Sequence, residues 1–321
     1  MNRPDTAPYD TVPAVLDLVT AGEAFDDVVF HGLERLPRPG EEIKTDCLER
    51  SPGGGAIITA VAASRLGMRC AAIGGFSRDA ARLLRDEGVR VRNLRRSGEP
   101  AALTVAISTP RDRAFVTFNG MNSRLPGRLN TALRRVRARH VHLAFCPPAC
   151  GPWAGIVNAL RDKGIGTSWD FGWNPQLRRD PDFQALAAAV DYLFMNRDEA
   201  LAYAGARTLA VALDRWRRAP RAVVIKVGAA GSRVVGSGVD VRAPRFDARV
   251  VDTTGAGDAF NAGFLVARLR GSGWRDALRL ANRVGALSTE RPGGIAGLPQ
   301  KGVGSRFTFF VKRLPTPFAR A

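Results

Sequence analysis

The sequence predicts an α/β protein: a mostly parallel central sheet with helices on both faces, plus a small β-sheet lid. Three observations predict it. From about residue 14 to about residue 300, β-like runs alternate with helical runs of roughly ten residues, the pattern of right-handed βαβ units. Two β-only stretches, about 22–52 and 98–121, break that alternation and are expected to pair into a small separate sheet. No long Ser/Pro/Gly linker and no fixed-period repeat divides the 321 residues. One large domain, 14–300, is therefore expected between an N-terminal tail, 1–13, and a basic C-terminal tail, 301–321.

The elements follow in order. Residues 14–32 read as a buried strand, a Gly-Glu turn and a second β segment. Turns at 37–40 and 52–55 bracket a short extended piece. Residues 56–66 carry small and apolar side chains at helical spacing, and Gly67 supplies a C-terminal stop. "RCAAIGG" is a short buried strand, and "ARLLRDEG" is a short helix ending at Gly88. "AALTVAIST" and "AFVTFNG", separated by "PRDR", read as a β-hairpin. Helix–strand pairs then recur: "RLNTALRRVRA" with "HVHLAFC", "WAGIVNALRDKG" with "GTSWDFG", and "FQALAAAVD" with "YLFMN". The helix "RDEALAYAG" precedes a strand–turn–strand at 221–243, and two helices close the domain. In an open α/β fold, ligands bind at the carboxyl ends of the strands, and a small sheet there could act as a lid.

Composition excludes several classes. The hydrophobic content of 45% is ample for a core. The net charge is +18, and all but five of the 48 basic residues are Arg. They are scattered over helices and loops without a nucleic-acid motif, so a solvated compositional bias is favoured over a polyanion partner. The field would still draw in a small anion such as ATP. The four Cys suggest no disulfide framework. With no apolar leader and no run of about 18 apolar residues, a soluble cytoplasmic protein is expected. His140, His142, Cys146 and Cys150 could suggest a metal, but two His on one strand face and a C-x-x-x-C spacing favour a buried strand followed by a Pro-Pro loop.

The chemistry concentrates in "VVDTTGAGDAFNAGF", 250–264. Gly255 and Gly257 allow successive N–H groups to converge on one point. The following helix places Phe260, Phe264 and Ala267 on one face, and its N-terminus is an anion site. Asp252 and Asp258 flank the turn, and a nucleotide site needs acidic groups for Mg²⁺ or proton removal. The sequence has no Gly-Lys-Ser/Thr and no G-x-G-x-x-G after the first strand, so a phosphate site here is of another type.

That stretch resembles the C-terminal signature of the ribokinase-like (PfkB-type) carbohydrate kinases. "PGGGAIITAVAASRLG" resembles the family's N-terminal Gly-Gly signature, and "AGEAFDDVVF" its first strand with a substrate-facing carboxylate. "AFVTFNGMNSRL" resembles a lid strand, "LFMNRDEALAYAG" the Asn-x-x-Glu segment, and "VIKVGAAGS" the nucleotide turn. The order agrees throughout, over about residues 14 to 300.

The resemblance implies ATP- and Mg²⁺-dependent phosphorylation of a small sugar, and it also admits a monovalent cation. Asp258 would be the general base, and Gly255, Ala256 and Gly257 the anion hole. At a helix N-terminus, Asp258 is expected to stay ionised and to accept the proton late. Asp27, with Asp26 as its rival, would bind sugar hydroxyls, and Gly53 and Gly54 would let backbone approach the substrate. Asp170 and Asn174 sit at a strand end facing the same cleft. Asn196, Lys226, Gly228, Gly231, Thr253 and Asn282 would frame the nucleotide. Asn196 and Glu199 would hold Mg²⁺ through water, against the plainer reading of a helix cap with its capping-box Glu. A homodimer through the lid is plausible.

The sequence departs from the family at Ile58, where many members carry Asn, which removes one polar substrate contact. The 75–88 segment is shorter than usual, "NRDE" lowers the acidic charge near the metal, and the tail is atypical. A nucleoside kinase of the same fold is the alternative. A non-catalytic polyanion-binding relative is a further one, motivated by the +18 charge and opposed by the intact Asp258 turn.

Overall fold

The computed structural model describes residues 15–109 and 113–301. Both expected tails and the tip of the expected hairpin lie outside the described residues, Lys301 excepted.

The chain opens with β1 (Leu16–Gly22) and β2 (Phe25–Phe30), then β3 (Leu48–Gly53), α1 (Gly55–Arg65), β4 (Cys70–Gly74), α2 (Arg78–Asp86) and β5 (Arg90–Asn93). It continues through β6 (Leu103–Ser108), β7 (Arg113–Phe118), α3 (Leu125–Leu133), β8 (Ala138–Ala144), α4 (Gly151–Arg161) and β9 (Gly166–Asp170). Next come α5 (Phe183–Ala189), β10 (Tyr192–Asn196), α6 (Arg197–Ala204), α7 (Leu209–Arg217) and β11 (Ala222–Lys226). It closes with β12 (Ser232–Gly236), β13 (Val239–Ala243), α8 (Ala256–Leu269) and α9 (Trp274–Ser288).

The large sheet has nine strands in the order β13-β12-β11-β10-β9-β8-β1-β4-β5. From β11 to β5 every pairing is parallel; β12 and β13 add an antiparallel edge. The order reverses direction at β1, between β8 and β4, so the crevice at that switch point is where a ligand site is expected. Central strands bury both faces. Leu18 joins the core beneath α1, α8 and α9, whereas Val19 and Ala21 join the core beneath α3 to α7. Helix α8 is sandwiched between sheet and α9, and its residues 259–267 are all buried, so its apolar surface runs around the whole helix rather than along one stripe.

The β-only stretches form a second, four-stranded sheet, β3-β2-β6-β7. Its outer pairs are antiparallel and are joined by a parallel β2–β6 pairing. Three local readings are corrected. Helix α2 starts at Arg78, not Ala81, because the Ser77 hydroxyl accepts from the Ala80 N–H at 3.1 Å and caps it. Helix α7, not expected from the sequence, starts from a Thr208 cap and buries Ala212, Leu213 and Trp216. The 221–243 segment makes three strands rather than two, because the turn at 237–238 starts a further antiparallel pairing.

His140 and His142 do share one buried strand face, and each ring bonds the Ser168 hydroxyl at 2.9 Å. Burial lowers them to about 3 and about 4, so both are neutral core residues. Among the described residues, no cluster of three His, Cys, Asp or Glu is placed to hold a metal, and no helix is long and apolar enough to cross a membrane.

Candidate active site

The turn that leads into α8 is built by Asp252. One of its carboxylate oxygens accepts from the Thr254 N–H at 2.9 Å and hydroxyl at 2.8 Å; the other accepts from the Gly293 N–H at 2.9 Å. Asp252 thus fastens the turn to the loop after α9, which is a different task from holding a metal or removing a proton. Gly255 stands at the N-cap of α8 with φ 69°. A Cβ there would lie 2.5 Å from Ile58 Cδ1 and 2.9 Å from Gly294 Cα, so only Gly fits. Of the three N–H groups expected to form an anion hole, that of Ala256 makes a long bond of 3.3 Å to Thr253 O. Ile58 is buried under this turn, packed against Gly255 and Gly294. Its contacts are with the floor of the turn, a packing role that adds to the expected loss of a polar group at this position.

Three carboxylates gather at the crevice. Asp258, on the first turn of α8, directs Oδ1 toward Gly55, where a Cβ would be only 3.0 Å away. Asp27 directs Oδ2 at Gly53, where a Cβ would be 1.8 Å away. The Gly53–Gly55 run at the start of α1 therefore lies between the two carboxylates. Asp26, the rival of Asp27, points elsewhere and accepts from the Ser77 hydroxyl at 2.7 Å. Burial raises Asp258 to about 7, with the charges of Asp170 and Glu199 adding to it and Lys226 opposing. The helix terminus was expected to hold Asp258 ionised; desolvation outweighs it. Asp27 is also raised to about 7, by burial and then by Asp26, Asp258 and Asp252. Glu23, one residue past the end of β1, is raised to about 7 by burial alone. Sequence reading passed over Glu23. Its signal was a carboxylate directly after the central strand, in the Gly-Glu turn.

Beneath the glycine turn, Lys226 at the end of β11 bonds Asp170 Oδ2 at 2.7 Å and approaches Asn261 Oδ1 at 3.4 Å. Asn261 Nδ2 donates to the same Asp170 oxygen at 2.8 Å. Burial works against the Asp170 charge, but Lys226 and Asn261 hold it below the ordinary carboxylate value. Lys226 is correspondingly raised: burial opposes its charge, and Asp170 and Glu199 outweigh that. A Cβ on Gly257 would be 3.1 Å from Lys226 Nζ, which puts the ammonium against the turn. Asp170 was expected to face the substrate; its carboxylate is committed to this buried ion pair instead. Asn174 is likewise spent locally, with Nδ2 donating to Cys146 Sγ at 3.1 Å and Oδ1 accepting from the Gln176 N–H at 3.1 Å. Asn261 was missed by sequence reading, although a polar residue three positions after Asp258 in an apolar helix marks the same face.

Asn196 and Glu199 form a complete capping box at the start of α6, with bonds of 2.9 Å and 2.7 Å. Burial and then Asp170 raise Glu199, with Lys226 opposing. Asn196, Lys226, Gly228, Gly231, Thr253 and Asn282 all line one open pocket of about 580 Å³. Its apolar walls include Phe246, Val250 and Phe260, and Ala256 and Gly257 of the turn border it. Asn282 has its amide nitrogen turned to Pro244 O at 2.7 Å, so it braces the end of β13.

Comparison with known proteins agrees with this layout. A family model for the pfkB family carbohydrate kinases matches residues 16–301. An ATP-dependent ribose-1-phosphate kinase of Halopiger xanaduensis is 32% identical over 86% of this chain and 93% of its own. A nucleoside kinase of Methanothermobacter thermautotrophicus is 27% identical over 91% and 96%. In fold, the chain superimposes on Arabidopsis thaliana ribokinase, solved with ribose and ATP, with TM-score 0.73 and 23% identity over 91% of this chain and 98% of that one. Adenosine kinase from Sinorhizobium meliloti gives TM-score 0.75 and 22% identity over 92% and 99%. With the glycine turn, the Gly-Gly helix and the small sheet all inside the matched span, the chain belongs to the pfkB family of carbohydrate kinases.

Proposed function

We propose that the protein transfers the γ-phosphoryl group of ATP to a hydroxyl of a small sugar or sugar derivative, with Asp258 as general base. Family membership makes it a phosphotransferase acting on an alcohol group. The observation that carries the finer reading is the position of Asp258, at the head of α8 between the glycine turn and Gly55. On one side lies the pocket bordered by Gly257 and Lys226; on the other lie Gly53, Gly54 and Asp27.

Asp258 accepts the proton of the acceptor hydroxyl, and a value near 7 matches that task at neutral pH. The turn N–H groups and the α8 N-terminus stabilise negative charge as it develops beside them. Lys226 places a fixed cation against that turn, and Asp170 and Asn261 hold it there. Asp27 receives acceptor hydroxyls; the side-chain space at Gly53 is taken by Asp27 itself and that at Gly54 by Glu23, Ala24 and Phe25, so these two glycines serve close packing around the carboxylate rather than room for the substrate. ATP supplies the phosphoryl group and Mg²⁺ neutralises phosphate charge. The residues present fit both: the pocket offers glycine floors and apolar walls, and Asn196 with Glu199 suits an ion that keeps most of its waters.

The small sheet acts as the lid, and its outer face supports a homodimer. Leu103 opposes Phe118 and Val105 opposes Val116 on that face, with Val28 beside them. Val116 is 70% exposed and Phe118 55%. Val116→Glu is expected to convert a dimer to a monomer in light scattering.

The test is an ADP-release screen over neutral sugars, sugar phosphates and nucleosides, with Asp258→Asn alongside. The variant is expected to lose about 10²–10⁴-fold in turnover while still binding nucleotide. Near-normal turnover would sink the role of Asp258. A nucleoside as the sole good acceptor would replace the sugar reading with the alternative that the Methanothermobacter relative represents.

A further inference from the structure

A second cavity, of about 390 Å³, lies at the other end of α6 from the nucleotide pocket. Helix α6 runs from the Asn196 cap to Gly205, about 12 Å at the helical rise. Arg178, Arg215 and Arg218 border this cavity, with Gln184 beside them. Tyr203 and Trp216 line it as well and are almost fully buried. Their polar ends are already engaged: the Tyr203 hydroxyl donates to Gly172 O, and Trp216 Nε1 donates to Ala200 O at 3.0 Å. Those two side chains therefore form the buried floor of the cavity and bring no free hydrogen-bonding group to it.

The guanidinium groups are only partly engaged. Arg215 uses Nη1 on the last α6 carbonyls, those of Ala204 and Gly205. Arg218 uses Nη2 on Asp214 at 2.9 Å, an exposed pair that water screens. Arg178 lies over Gly205, where a Cβ would be 2.0 Å from its Nη1. No hydrogen bond or ion pair is found for its guanidinium among the described residues. Each guanidinium is a planar fork that matches phosphate oxygens, and the contacts above leave most of their N–H groups for a ligand. A phosphate dianion offers enough oxygens for all three arginines, whereas a carboxylate offers two. The volume falls in the range of small-molecule sites.

We propose that this cavity binds a small phosphate monoester, with its phosphate on Arg178, Arg215 and Arg218 and its carbon skeleton against the half-buried Ala187, Ala188 and Ala219 of the lining. The site is separate from the nucleotide pocket and does not depend on the role given to Asp258. Helix α6 joins the two. Its C-terminal carbonyls are held by Arg215, and its N-terminus is the capping box whose Asn196 lines the nucleotide pocket. Tyr203, on the same helix, also receives the Asn174 N–H and so fixes the loop that follows Asp170. A ligand that draws Arg215 toward itself alters the hold on α6, and any resulting change in nucleotide affinity must be reciprocal.

The test is titration calorimetry on the full chain, saturated with Mg²⁺ and a non-hydrolysable ATP analogue so that the nucleotide pocket is filled. Ribose 5-phosphate, glucose 6-phosphate and inorganic phosphate are the probes. Expected is saturable binding of at least one ester that weakens with salt and is lost about tenfold or more in Arg178→Ala and in Arg218→Ala. Both positions are exposed, and matching thermal melts confirm that the variants fold. Arg178→Lys keeps the charge without the fork and is expected to fall between. Absence of ester binding up to about 10 mM would overturn the proposal, since such affinity is below about 3 kcal/mol. Unchanged ester binding in both alanine variants would overturn it too, by assigning the heat to the acceptor site. Inorganic phosphate binding as tightly as either ester would overturn the assignment to a monoester.

Discussion

A single methyl group at Gly255 tests the anion turn most directly. Gly255→Ala must adopt φ 69°, which costs an L-residue about 1–2 kcal/mol. Its Cβ would also meet Ile58 Cδ1 at 2.5 Å and Gly294 Cα at 2.9 Å, where carbon atoms prefer about 3.5–4.0 Å. Ile58 is 2% exposed and has little room to retreat, so overpacking adds about 1–3 kcal/mol. The sum, about 2–5 kcal/mol, is a large share of the 5–15 kcal/mol (roughly) that holds a typical domain together. Urea melts read the stability, and ADP release reads the chemistry. Turnover is expected to fall about 10²-fold or more as the turn N–H groups shift. Ile58→Val removes the atom nearest the new methyl. In a double-mutant cycle, the two substitutions together are expected to cost less than their sum by about 1 kcal/mol. Additivity within about 0.3 kcal/mol would refute the packing argument. Gly255→Ala with unaltered melts and turnover would refute the account of the turn altogether.

Further outcomes concern charge. If Asp258 is the base, kcat/KM should rise about tenfold per pH unit at low pH and level off above about 7; a profile flat from pH 5 to 8 (roughly) would contradict it. Stability should move the opposite way. A carboxyl whose folded value is raised contributes stability fully present below its unfolded value and lost as pH rises through the folded value. With Asp27, Asp258 and Glu23 raised to about 7, melting temperature is expected to fall from about pH 4 to about pH 7 and then flatten. Asp27→Asn should make that fall shallower, by about 1.4 kcal/mol per pH unit at most, in melts taken across the range. Glu199→Gln separates cap from metal, because Gln completes a capping box equally well. Unchanged melts with a several-fold higher Mg²⁺ requirement are expected; an unchanged requirement would leave Glu199 as a cap alone.

The alternation of strands and helices was legible because each central strand is a short apolar run bounded by turn residues. The glycine turn was legible because its residue types have few other uses in that order. What escaped was what the chain brings together from afar. Asp26 and Asp27 are equivalent in sequence, and only Ser77, 51 residues away, takes one of them out of the cleft. Asp170 reads as a strand-end carboxylate until Lys226 and Asn261 close on it. That Ile58 also floors the glycine turn shows only once Gly255 and Gly294 pack over it. The elevated Asp258 follows from desolvation, which no local pattern records. Helix α7 was overlooked because its turn chemistry, a Thr cap after Gly205, sits in an Arg-rich stretch that masks the apolar spacing.

The three glycines from Gly53 to Gly55 have an evolutionary consequence. They are a party wall: Asp27 leans on one end and Asp258 on the other, and a side chain at Gly53 or Gly55 would jostle one of them. The floor of the crevice is therefore poor ground for inventing new preferences. Novelty has to come from above, from Thr104, Thr117 and Ser51, which share a face of the small sheet with Asp27. Exchange there would leave the contacts of Asp27 and Asp258 with the glycines in place, at the cost of the 3.2 Å bond between the Thr104 and Thr117 hydroxyls. On the proposed reading of the small sheet as a lid, a lineage would retool its roof for a different acceptor while the hearth stays the same.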